Sequence, residues 1–134
     1  MISNTDQSKA LIKTDVMQSV LFEDDLVTYE TAFLAREKGF DIDCGWKLRK
    51  LEDGSFTHTN CSELGVEQPT QSLLQKWLRE KHHKRVEVKS YFVTELMYFV
   101  SINTDSKDYQ FDSEFKNYEK ALEFGLFECL QIVP

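Results

Sequence analysis

A chain of 134 residues fits one domain, and at that size about two-thirds of the unfolded surface is buried without help from disulfides or metal. It is 41% hydrophobic and 29% charged, with ten Phe, five Tyr and two Trp but only five Gly and two Pro, which excludes collagenous and low-complexity classes. A formal net charge of -7 makes the chain as a whole repel a long polyanion, so any nucleic-acid contact has to be local.

The N-terminal stretch MISNTDQSKALIKTDVMQSV has no unbroken apolar core and no small-residue cleavage pattern, so it does not read as a signal peptide. Three widely spaced cysteines, Cys44, Cys61 and Cys129, are an odd set and point to a reduced, intracellular setting. The run YFVTELMYFVSI carries Glu95 near its middle and falls short of the ~20 apolar residues that cross a bilayer. The expectation is a cytoplasmic protein with no membrane partner.

In chain order, residues 1–23 read as an N-terminal arm or extra helix, and 24–134 as a single α+β domain. Asp24 or Asp25 is expected to cap a first helix whose opening turns carry Leu26 and Val27 and which stops at Gly39. Trp46 and Leu48 alternate with Lys47 and Arg49, and Asp53-Gly54 marks a hairpin turn, giving strands over 44–51 and 55–59. CSELGVEQP reads as a loop. Thr70 then caps a helix over 70–82 whose stripe is Leu73, Leu74, Trp77 and Leu78.

Val86, Val88 and Phe92 alternate with Glu87, Lys89 and Tyr91 in a strand over 86–93, partnered by 97–102. NTDSKD is a turn, and Tyr109 and Phe111 add a short edge strand. A last helix runs from Tyr118 to Ile132, with Leu122, Leu126, Cys129, Leu130 and Val133 on one side. Gly125 in its middle costs about 1 kcal/mol, which implies a closely packed neighbour. Short turns join the strands, so the predicted class is α+β: three main helices packed on an antiparallel sheet of about four to five strands.

PTQSLLQKWLREKH, the helix end AREKGFD and the closing NYEKALEFGLFECLQIV resemble a family of uncharacterised small proteins from gut Bacteroidetes and their phages. The likeness covers roughly residues 26–134. It rests on packing motifs, so it implies fold and an intracellular, mobile-element setting, with no activity, cofactor or site residue to carry over.

Residues 76–89 are the sharpest charge feature: six cations against Glu80 and Glu87, +4 locally, leaving -11 elsewhere. Lys76, Arg79, Lys81, His82, His83, Lys84 and Arg85 form a candidate binding patch for nucleic acid, a nucleotide or an acidic protein. The competing reading is a helix C-terminus whose cations favour the dipole, with Lys76 and Glu80 as an i, i+4 pair and Trp77 in the core.

His58, Cys61, Cys44 and the His82–His83 pair invite a zinc site, but adjacent histidines rarely aim at one ion and no close ligand pairs appear. Cys61 with His58, and Asn60 or Asp53 as the orienting group, is a strained recipe for a catalytic triad. In DIDCG, Asp41 and Asp43 are expected on one face of an extended segment. No metal or cofactor site is therefore expected. The leading reading is a non-enzymatic accessory protein acting through a protein-binding surface, its partner another protein or its own copies; nucleic-acid binding through 76–89 and an enzyme with a site assembled by the fold are the alternatives.

Overall fold

The structure, a computed structural model, describes residues 25–45, 47–59 and 65–134. The expected N-terminal arm, Trp46 and Cys61 lie outside the described residues. Helix α1 (Tyr29–Glu37) begins later than the sequence suggests. Its cap is Thr28, whose side-chain oxygen accepts from the Thr31 N–H, and not Asp24 or Asp25. The cause lies just upstream. Val27 N–H donates to the Pro69 carbonyl (3.0 Å) and Gln71 N–H to the Asp25 carbonyl (2.8 Å), so residues 25–27 run beside the entry to the next helix. Val27 is buried in that extended segment, where a first helical turn had been expected. The helix end is as anticipated: Gly39 takes φ +101°, a left-handed conformation open to a residue without Cβ.

Strands β1 (Lys47–Lys50) and β2 (Phe56–Thr59) form the expected hairpin, with Leu48 opposite His58. Gly54 turns it at φ +90°, and Asp53 Oδ1 accepts from the Ser55 N–H at 2.9 Å. Where the sequence reads as loop, β3 (Val66–Glu67) pairs with the free side of β1. Two residues are too few to show a period of two. Their register comes from Leu48 opposite Val66 and an ion pair between Lys47 and Glu67 at 3.2 Å.

Thr70 caps α2 (Gln71–His82) by accepting from Leu73 N–H, and Asn117 caps α3 (Tyr118–Gln131) by accepting from Lys120 N–H. Between them β4 (Arg85–Phe92), β5 (Leu96–Asn103) and β6 (Asp108–Gln110) form an antiparallel meander. The class is α+β. Among the described residues, however, the strands divide into two three-stranded sheets, β2-β1-β3 and β4-β5-β6, in place of one sheet of four to five. The chain leaves β3 directly into α2, which carries it away before the second sheet begins.

Helix α3 lies across β4 and β5, and α1 and α2 pack against it. Leu74, Trp77, Leu78, Leu122 and Leu126 are all buried, as the stripes predict. Gly125 explains itself: a Cβ there would stand 2.7 Å from Val86 Cγ1 and 2.8 Å from Val100 Cγ1. The missing methyl lets helix and sheet touch. A polar pin ties α3 to the N-terminal ends of α1 and α2. Glu123 on α3 accepts from the Thr28 N–H (3.0 Å), the Thr31 hydroxyl (2.5 Å) and the Gln71 amide (3.2 Å).

Candidate functional site

The basic stretch begins on the exposed side of α2, opposite its apolar stripe. Lys76, Arg79, Lys81, His83 and Arg85 are exposed, while His82 and Lys84 are half-buried, so the junction is less open than the sequence suggests. The two histidines part company. His82 folds back edge-on to Trp77, with ring centroids 4.7 Å apart. Burial, and then the positive charges of Lys84 and Lys81 with a smaller contribution from His83, push its pKa below the usual 6.5. His83 stands in the left-handed region (φ 57°), turning the chain out of the helix where a glycine is usual. Lys84 closes the turn, its N–H on the Leu78 carbonyl (3.2 Å) and its Nζ 3.4 Å from the His82 carbonyl. Among the described residues no cation of the patch is ion-paired, and the expected Lys76–Glu80 pair does not form. Trp77 is only 5% exposed, beside Phe40, and offers no platform for a base.

Among the described residues the histidine and cysteine candidates do not converge. His58 Nε2 lies 3.0 Å from Gln68 Oε1, and that amide in turn donates to the Val27 carbonyl (2.8 Å). The thiol of Cys44 contacts the Ile42 carbonyl, and burial with nearby Glu67 and Asp43 pushes its pKa up to about 11. It is a protonated thiol at neutral pH, not an activated nucleophile. Asp53 is spent on Ser55, whose hydrogen bonds hold its carboxyl below the usual range. Asp41 and Asp43 do not act as a pair: Asp41 lines a cavity of about 270 Å³ with Arg36, Lys47 and Glu67, while Asp43 accepts from the Gly45 N–H. The chain bends just after them, at Gly45 (φ 78°). Among the described residues no group of three His, Cys, Asp or Glu side chains is placed to hold a metal.

A different surface emerges at the tip of the β4–β5 hairpin. Residues paired across an antiparallel ladder share a face, so Val86, Val88, Ser90 and Phe92 lie with Ile102, Val100, Tyr98 and Leu96 on the side of α3. Phe92 thus keeps the expected alternation, but not the expected burial. Tyr118, the first residue of α3, meets Tyr98 edge-on at 5.9 Å, and the helix reaches no further along the hairpin. One rung beyond, Phe92 is 70% exposed, Val93 73% and Leu96 45%.

On the opposite face, Tyr91 packs against Phe99 and donates its hydroxyl to the Glu114 carboxylate, which raises the phenol's pKa. A shallow hollow of about 420 Å³ runs from these residues to Gln110, Phe111 and Asp112. This tip is not among the sites the sequence pattern singles out. Its signal was present in YFVTEL: three apolar residues in succession, then a turn with no Gly, Asn or Pro.

Fold and surface together define an α+β protein with an apolar hairpin tip on one side and an unpaired basic helix end on another. No family model, curated protein or solved structure matches the chain. Among the described residues no helix is long and apolar enough to cross a membrane.

Proposed function

We propose that this chain is a small non-enzymatic accessory protein that works by binding another protein through the β4–β5 hairpin tip. The observation that carries the reading is the exposure of Phe92 and Val93, adjacent large apolar side chains at an exposed turn. Contiguous exposed apolar residues rimmed by polar ones are a mark of interaction sites, and aromatic side chains supply most interface anchors. Covering the two side chains contributes about 1.5–3 kcal/mol each by area. Glu95 and Lys116, paired at 3.6 Å beside the turn, provide a polar rim. A reduced, cytoplasmic setting belongs to the same proposal, supported by the free thiols of Cys44 and Cys129. The mobile-element setting is supported by the family resemblance alone.

A second reading, contact with nucleic acid through the basic stretch 76–89, is favoured by the unpaired exposed cations there. One experiment separates the two. A photo-crosslinking residue is placed at position 93 in one version of the chain and at position 81 in another, and both are irradiated in the source cell. Protein adducts at 93 and few at 81 are expected. Nucleic-acid adducts at 81 with none to protein at 93 would reverse the order of the readings.

A further inference from the structure

We propose that the partner reached through this hairpin is a second copy of the same chain, joined edge to edge along β4 about a two-fold axis through Ser90. The proposal rests on the reading of the hairpin as a protein-binding surface. It starts from the direction of the backbone groups of β4. The Val93 N–H donates to the Glu95 carbonyl (3.4 Å), which brackets Phe92 and Leu96 as a pair that exchanges no bonds. Bonds to β5 therefore come from Tyr91, Lys89 and Glu87, while Val88, Ser90 and Phe92 turn their N–H and C=O groups outward. A separate contact agrees: the Gln75 amide reaches the outward carbonyl of Val86 at 2.8 Å.

Beyond Val86, no strand among the described residues pairs with this outer edge of β4. An edge with unpaired donors and acceptors is a template for another strand, and native edges are usually guarded by charge. Here charge and the Gln75 contact together narrow the register. With Lys89 on the axis, the two copies set lysine opposite lysine, which is unfavourable. With Val88 on the axis, the Val86 carbonyl is required, and Gln75 already holds it.

With Ser90 on the axis, Val88 of each copy faces Phe92 of the other, and Lys89 faces Tyr91. Phe92 is then covered by apolar surface. Lys89 arrives beside the tyrosine whose hydroxyl holds Glu114, so a cation meets the other copy's carboxylate. Each outward group from Val88 to Phe92 gains a partner, and the two β4-β5-β6 sheets become one. The contact is smaller than the standard interface of about 1,600 Å², so dissociation in the micromolar range is expected.

Sedimentation equilibrium of the full chain over ~1–200 µM tests this, because the dimer fraction has to rise with concentration. The wild type is expected to approach twice its monomer mass. Ser90→Pro removes an N–H that β5 does not use, so the variant is expected to fold, by circular dichroism, and to stay monomeric. Lys89→Glu is expected to stay monomeric too, and adding Glu114→Lys to it to restore the dimer. Should Ser90→Pro not fold, the charge pair alone decides. A wild type that is monomeric throughout, or a dimer indifferent to Lys89→Glu, overturns self-pairing. In that event crosslinks from position 93 to a different protein preserve the hairpin reading, whereas no protein adduct there ends it as well.

Discussion

The two ends of one hairpin behave as different materials. At its root, Val86, Val100 and Ile102 are buried under α3, close enough that Gly125 has no room for a methyl group. At its tip, Phe92 and Leu96 continue the same face, on the same two strands, and both are exposed, Phe92 the more so. Alternation decides which face a side chain occupies. Whether that face is covered depends on how far the helix above it reaches, and α3 starts one rung short.

The largest effect is expected where the covered region is most tightly held. Trp77→Ala should cost about 3–5 kcal/mol in chemical unfolding, since the ring sits between Phe40 and His82 at the edge of the core. A loss below about 1 kcal/mol would put Trp77 in a loose shell and weaken the contrast between root and tip. Gly125→Ala is the sharper probe. Helix propensity alone favours alanine by about 1 kcal/mol, so a net destabilisation of about 1–3 kcal/mol would report the clash with Val86 and Val100. A stabilised variant would show that the root is not closely packed.

The helix end at 81–85 lies between these extremes. Neutralising Lys81 and Lys84 together should change stability by less than about 1 kcal/mol, read by denaturant melts. His82 gives that end a pH dependence. Its folded pKa is lowered by burial, so the folded state prefers the neutral ring, and its contribution is present above the unfolded value near 6.5. That contribution is lost as pH falls through the lowered folded value. Melting temperature should therefore decline from pH 7 into the acid range, with a shallower decline in His82→Gln.

Much of this was legible in the sequence, for identifiable reasons. The stripe Leu74, Trp77, Leu78 and the glycine in the last helix are periodic or costly features, and both found the partners they implied. Thr28 in place of Asp25 as the helix cap depends on residues 25–27 lying along 69–71, a contact between distant segments that no local pattern announces. The two-residue strand β3 is too short for any period and owes its place to β1. The candidate surface was half-legible. Basic residues stand out by composition alone, whereas the apolar tip required knowing where α3 begins.

At the bare end, the smallest stability effect is expected. Phe92→Ser combined with Val93→Ser should leave stability within about 0.5 kcal/mol of wild type. If these side chains serve a partner and not the core, removing them has to abolish binding without loosening the fold. Wild type and the double variant are each used for affinity capture in the source cell's lysate, read by quantitative mass spectrometry with the chain's own copies counted. A defined protein, the chain itself under the self-pairing proposal, is expected to be retained by wild type and lost by an equally stable variant. Identical capture by both proteins, at equal stability, would contradict it.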